Sequence, residues 1–298
     1  MSEHDLYDRT PIVRRPPLAW PGQARLAVGI VVCLEYYEMQ PPADAYQPVN
    51  MPGGSGRGPY PDFRTYSHRE YGNRIGIFRV MSALERHGLR ATAAVDAWTA
   101  GHRPGLIEEI RRRGWEFAGH GQTVTQVISS EMTEEKERDY IRSSLASLEA
   151  ACGSRIAGWH SPEYGESAQT PALLAELGVD YVLDWPNDEQ PYRMRTAGGP
   201  LLSVPMAVDL DDVCAHWYRR LSMARWRQSI ADALDQLLGE DEAGGRMLVL
   251  NLHPWLIGQP YRATYLEEVL ADLRKRPGVW CATAGEIAAC AASQLDAR

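Results

Sequence analysis

The stretch that most constrains the fold of this chain is RMLVLNLHPWLIGQP, Arg246 to Pro260. Met247 to Leu252 is an apolar run with one internal Asn, bounded by Gly-Gly before it and Pro-Trp after it, the pattern of a buried strand. Pro254 cannot extend a hydrogen-bond ladder, so the strand stops and leaves His253 at its tip. In folds built from parallel strands, ligands and chemistry collect at the carboxyl ends. A capped strand with a merely satisfied histidine is the plain alternative.

The rest of the chain repeats this theme. Residues 1–24 are rich in Pro and Arg and read as an extended arm, and 25–298 as the body. RLAVGIVVCLE, Arg25 to Glu35, is a β-prone run ending in a carboxylate. Residues 39–68 are loaded with Pro and Gly, which predicts a binding loop or a lid. Helices are predicted over Asn73 to His87, Pro104 to Arg113, Met132 to Gly153, the PALLAELG segment, Met223 to Leu238, Arg262 to Lys275, and from Ala284 onward. Between them, LRATAAVDA, WEFAGHG, RIAGWH, VDYVLDW, LLSVPMAV and GVWCAT read as strands. Strand and helix alternate almost throughout, so the expected class is α/β: one domain with a parallel sheet and crossover helices, closed into a barrel or left open.

Charge and composition exclude several functions. The chain has a net charge of −8 and no basic cluster, which argues against nucleic acid and anionic membranes as partners. No apolar run is long enough to span a bilayer, and the first residues lack the apolar core of a signal peptide, so a cytoplasmic protein is expected. The five cysteines are scattered, without CxxC spacing, and read as small buried hydrophobes. Nine Trp and fourteen Tyr stand against three Phe. Aromatics with polar handles suit a pocket wall.

Four predicted strand tips carry Glu35, His120, Asp184 and His253. In a parallel barrel all four face one mouth, and Glu with His suits general acid and base chemistry. No Ser lies in a GxSxG elbow, which sets a nucleophilic serine aside. Cys33, inside an apolar strand, reads as inert.

The order of these pieces is informative: a strand with an acidic tip, a YGNRIG helix, a strand ending in HG, a GWHSPE loop, then LDWPNDEQPY and LHPWLIGQP. This succession resembles the polysaccharide deacetylase (NodB-homology) superfamily, and within it the allantoinase-like branch of small-molecule amidohydrolases. The resemblance implies a distorted (β/α) barrel and hydrolysis of carbon–nitrogen bonds other than peptide bonds. Metal-dependent deacetylases of this kind place two adjacent aspartates at the first strand tip and two histidines four residues apart after the third. Here the first pair is Glu35-Tyr36, and Val124 stands where the second histidine would fall. A phenol and an isopropyl group replace two of about three ligands, so no metal cofactor is expected. A rebuilt zinc site using Glu35, His120 and His253 is the alternative.

Without a metal, a side chain must activate water and donors must polarise the carbonyl. Glu35 or His120 is expected as the base. His253, matching the acid histidine of the family, is expected to protonate the leaving nitrogen, with Asp184 or Asp188 orienting it. Tyr71 and Arg74 of the YGNR stretch and Glu163 of the GWHSPE loop are expected substrate contacts, with Tyr36, Trp185 and Trp255 as pocket walls. The expected substrate is a small cyclic amide, namely an imide, a hydantoin or a ureide such as allantoin. Its carbonyl is more electrophilic, and its leaving nitrogen better stabilised, than in an acyclic amide. A zinc-dependent carbohydrate N-deacetylase and an inactive barrel kept as a ligand-binding module are the alternatives. A homodimer or homotetramer is expected, with the N-terminal arm as a partner contact.

Overall fold

Strand β1 (Leu26–Leu34) is the spine of the molecule: all nine residues of LAVGIVVCL are buried, as a central parallel strand requires. The computed structural model describes residues 4–43, 45, 61–240 and 244–296. Most of the long loop expected at 39–68 therefore lies outside the described residues. Its last part is not loop: α1 (Phe63–Tyr71) begins there, capped by Asp62, and a π-helical turn over Gly72–Gly76 joins it to α2 (Ile77–Arg86).

The chain continues as β2 (Thr92–Val95), α3 (Ala97–His102), α4 (Pro104–Arg112), β3 (Glu116–Gly119), α5 (Glu134–Cys152), β4 (Gly158–Trp159) and α6 (Thr170–Glu176). Next come β5 (Tyr181–Val182), β6 (Tyr192–Met194), β7 (Leu201–Ser203), α7 (Met223–Gly239) and β8 (Arg246–Leu252). The short α8 (Pro254–Ile257), α9 (Pro260–Lys275), β9 (Val279–Ala282) and α10 (Ala284–Asp296) complete it. Among the described residues nine strands form one sheet, eight of them in the order β6-β7-β5-β4-β3-β2-β1-β8 and the ninth, β9, paired to β1 off this path. Strand β8 runs along one edge of β1 from Leu26 to Val32. On the other edge β2 pairs with Val31–Leu34 and β9 with Leu26–Gly29. All pairings are parallel except β6 with β7. The outermost strands, β6 and β8, are not paired to each other, so the predicted barrel is a curled half-barrel open on one side.

Alternation along β1 separates two cores. Its even-numbered residues Leu26, Val28, Ile30, Val32 and Leu34 pack outward with Val80 and Leu84 of α2 and Leu266 and Leu270 of α9. The odd-numbered Ala27, Val31 and Cys33 face inward, with Val249 of β8, Tyr181 of β5 and Leu202 of β7. Ile287, Ala288 and Ala291 of α10 close the amino end of this inner core. Gly29 keeps room for that helix, since a Cβ there would lie 3.3 Å from Ile287 Cδ1.

The amino-terminal segment is not a free arm. Leu18 and Trp20 are buried, and Trp20 Nε1 donates to the Arg246 carbonyl at 2.7 Å. Leu18 and Trp20 thus find cover within their own chain, whereas Val13 of the same segment is exposed.

Candidate active site

Parallel register sets the site. Leu34 pairs with Val95, Val95 with Gly119, and Gly119 with Trp159. The residues that follow, Glu35, Asp96, His120 and His160, therefore form a row across the carboxyl ends of four strands. On the far side of β1, Val32 pairs with Leu252, so His253 stands level with Cys33. A cavity of about 250 Å³ opens over this row, lined by Glu35, Arg69, His120, His160, Glu163, Tyr164, Asp211, Asn251 and His253 among others.

Glu35 is the hub. Its Oε2 accepts from Arg69 Nη1 at 2.9 Å and from Trp255 Nε1 at 3.2 Å, while Oε1 faces His120 Nε2 at 3.6 Å and His253 Nε2 at 3.7 Å. Burial would push this carboxyl up, but His253, His120 and Arg69 outweigh burial and hold it well below the usual carboxylate range. Glu35 is thus a permanent anion at neutral pH and a poor proton acceptor. Of the two bases left open by the sequence, it is the less suited.

Each of three histidines has its Nδ1 engaged behind the cavity. His120 Nδ1 donates to the His160 carbonyl at 2.6 Å, which turns Nε2 toward the cavity; that buried atom has no hydrogen-bond partner. His160 Nδ1 lies 2.8 Å from Asp184 Oδ1, which also accepts the Ser161 N–H. His253 Nδ1 lies 2.7 Å from Asp212 Oδ1, and Asp212 Oδ2 accepts the His253 N–H at 2.9 Å. Burial disfavours a His253 cation, but Cys33 and then the carboxylates of Asp211, Asp212 and Glu35 outweigh it and raise its pKa well above the ordinary value. His160 moves the other way, because burial outweighs Asp184.

Beneath the row, Cys33 Sγ donates to Asn251 Oδ1 at 3.1 Å, and burial pushes its thiol up to about 12. Asn251 Nδ2 donates to Asp211 Oδ2 at 2.8 Å, and Tyr164 OH reaches the same oxygen at 3.1 Å. Glu163 and Tyr164 both have left-handed backbones, φ 55° and 56°, a conformation that costs non-glycine residues roughly 1–3 kcal/mol each. It turns Glu163 into the cavity, where burial raises its carboxyl to about 7.

The YGNRIG stretch contributes backbone rather than the expected side chains. Gly72 and Gly76 press against the turn that carries His253: a Cβ on Gly72 would lie 2.7 Å from the Trp255 nitrogen, and one on Gly76 2.0 Å from the Pro254 oxygen. Asn73 Nδ2 donates to the Glu35 carbonyl at 2.7 Å. Tyr71 and Arg74 are not in the cavity wall. Tyr71 OH accepts from Arg79, and Arg74 lies in an outer groove with Ile75 and Phe78.

Other expectations also change. Asp184 holds His160 rather than His253, and Asp188 pairs with Arg15 at 2.6 Å and is not among the cavity's lining residues; Asp212 orients His253. Trp255 does reach the site, through Glu35. Trp185 instead donates to Glu166 and packs on Tyr7 and His4, and the Tyr36 ring stacks flat on Trp98 with centroids 3.5 Å apart. Neither lines the cavity. Sequence reasoning missed Arg69, His160, Asp211, Asp212 and Asn251. His160 was the findable one, because it follows a short strand just as His120 does.

The metal site of the deacetylases does not fit these residues. Tyr36 is committed to its ring stack, and Val124 is a buried apolar side chain. In the alternative set of Glu35, His120 and His253, the carboxylate already carries a guanidinium at 2.9 Å, which repels a second cation.

The sequence model of the family described as polysaccharide deacetylase matches residues 70–182. A protein of Schizosaccharomyces pombe named as a polysaccharide deacetylase is 25% identical over 302 residues, covering 90% of this chain and 91% of its own. Among solved structures, a Pseudomonas aeruginosa protein described as a polysaccharide deacetylase superposes with a TM-score of 0.82 at 25% identity, over 95% of this chain and 97% of that one. A PuuE allantoinase shares the fold with a TM-score of 0.83 at 24% identity over the same shares. The segment matched by the polysaccharide deacetylase model contains His120 and His160, and the likeness to the relatives and their half-barrel fold extends over nearly the whole chain.

Proposed function

We propose that the chain hydrolyses a carbon–nitrogen bond in a small cyclic amide, such as an imide, hydantoin or ureide, with its own side chains as acid and base. The observation that carries this reading is the pair of imidazoles flanking Glu35, each with Nδ1 engaged and Nε2 turned toward the same carboxylate oxygen. His120, held as the tautomer with a free Nε2 lone pair, takes the proton from the attacking water. His253, kept protonated by its acidic surroundings, donates from Nε2 to the leaving nitrogen. Asp212 fixes the ring of that acid. Glu35 stabilises the His253 cation and is itself held by Arg69 and Trp255.

The size of the cavity supports a small substrate. About 250 Å³ lies below the usual range for drug-sized ligands, roughly 300–1,000 Å³, and suits one ring better than a run of sugars. The allantoinase in the shared fold is compatible with a ureide.

The test is the hydrolysis rate of cyclic imides, hydantoins, allantoin and N-acetylated sugars, using protein stripped of metal by chelation. Ring opening at full rate supports the reading. Activity confined to acetylated sugars and restored only by zinc overturns it in favour of a metal-dependent deacetylase.

A further inference from the structure

The acid–base reading uses two of the three histidines and leaves Cys33 without a role. Cys33 nonetheless sits at the centre of the ligand-type groups of this site. One ligand atom each of Cys33, His120 and His160 lies within 4.8 Å of the others, and all three residues are buried. Two independent features point to a ligand there. First, His120 Nε2 is a buried nitrogen with no hydrogen-bond partner, in a side chain only 1% exposed. Second, both rings are backed in the way that metal-bound imidazoles are. The distal N–H of His120 goes to a backbone carbonyl and that of His160 to a carboxylate, which fixes each tautomer; His120 Nε2 is left open, and His160 Nε2 meets only the Asn251 amide, at a long 3.4 Å. Asn251 orients the sulfur from below.

We propose that Cys33, His120 and His160 form a site for a thiophilic divalent cation, zinc or cobalt, at the floor of the cavity. One thiolate and two imidazoles with an open fourth position match the ligand preferences of these ions. Ligands of a tetrahedral zinc ion stand roughly 3.3–3.6 Å apart, so the three groups close on the ion by shifts of order 1 Å or less. The thiolate supplies the one negative ligand of the set, and the Asp184 carboxylate behind His160 offsets part of the remaining charge. The set shares only His120 with the ligand positions of the metal-dependent deacetylases, and it arises because Cys33 lies two residues before Glu35 on the same face of β1. A bound ion would take the Nε2 lone pair that the acid–base reading assigns to water, so it would act as an inhibitor.

The experiment is a titration of the chelated, full-length chain with Co²⁺, followed by absorbance. One ion per chain with a thiolate-to-cobalt charge-transfer band in the near ultraviolet is expected. Cys33→Ser should abolish that band, whereas Cys214→Ser, which removes the other thiol of the cavity region, should leave it. Asp184→Asn should weaken binding by roughly 10–100-fold through loss of support for His160. Should Cys33→Ser not fold, protection of Cys33 from alkylation by Co²⁺ in the unmodified chain, read by peptide mapping, gives the same answer. Absence of the band, its persistence in Cys33→Ser, or alkylation of Cys33 unaffected by Co²⁺ would overturn the proposal. Hydrolysis assays separate this from the proposed reaction. Zinc that binds and slows ring opening supports both, zinc that binds and is required supports the site alone, and ring opening by a chain that gives no cobalt band supports the reaction alone.

Discussion

Asp212 grips His253 twice: one carboxylate oxygen lies 2.7 Å from the imidazole Nδ1 and the other accepts the main-chain N–H of the same residue at 2.9 Å. The ring is thereby fixed in tautomer and in direction, with Nε2 toward Glu35 and the cavity. This is the orientation that a proton donor needs, and it is set by a residue at the start of a short helical turn that runs into the π-helix Cys214–Tyr218, rather than by one at a strand tip.

Replacing Asp212 by Asn keeps the shape but presents the wrong hydrogen-bonding partner to Nδ1 in half of its orientations. We expect kcat on the best cyclic amide to fall by about 10²–10⁴-fold with KM changed little. Steady-state kinetics beside a circular dichroism spectrum checks this, and an unchanged kcat would remove Asp212 and His253 from the acid role.

Arg69 and Glu35 form a buried ion pair at 2.9 Å, with the guanidinium also lying 3.9 Å over the Trp255 ring. Arg69→Met strands the carboxylate, and a loss of roughly 3–5 kcal/mol in urea unfolding is expected. The Glu35 carboxyl has a depressed pKa, so the stability it contributes is complete above the ordinary Glu value of about 4.3 and declines as pH falls below it. The stability gap between the parent and Glu35→Gln should therefore narrow in acid. A gap that is constant from pH 7 to pH 3 would contradict the depressed pKa.

Glu163 works in the opposite sense. Burial raises its carboxyl to about 7, so the folded chain favours the protonated form and loses stability as pH rises from the ordinary Glu value through 7. Glu163→Gln cannot ionise. Its melting temperature should match the parent near pH 4 and exceed it by a few degrees at pH 8, a gain of order 1–2 kcal/mol. Differential scanning fluorimetry across that range tests it, and equal values at pH 8 would mean the carboxyl is not buried as a charge.

Gly76 is the tightest of the close approaches around the His253 turn. A Cβ there would sit 2.0 Å from the Pro254 oxygen, in contact with backbone that cannot yield without moving α8. Gly76→Ala should lower both melting temperature and kcat, the first by an overpacking cost of about 1–3 kcal/mol. Arg74→Ala, two residues away on the outer surface, should change neither.

Several parts of this molecule were readable from residue order. β1 and β8 are apolar runs, and Pro254 marks where β8 has to stop, so residue order alone places Glu35, His120 and His253 at strand tips. Helices α5, α7 and α9 were equally plain from their one-sided apolar spacing. Local chemistry dictates all of these features: ladder hydrogen bonds, helix periodicity and the missing N–H of proline.

Residue order thus places Glu35, His120 and His253 at the mouth, but not Arg69, Asp211 or Asn251. Which of them pair was decided only by tertiary structure. Asp184 and Asp212 are both acids following a strand, and nothing in their spacing says that the first holds His160 and the second His253. The pairing depends on how β5 and the segment after β7 lie beside β4 and β8. YGNRIG likewise looked like a source of substrate contacts, because its Tyr and Arg are the polar residues in it. Close packing gave the function to its glycines and to Asn73, since a Cβ clash or a buried carbonyl that needs a donor exists only once two distant segments meet.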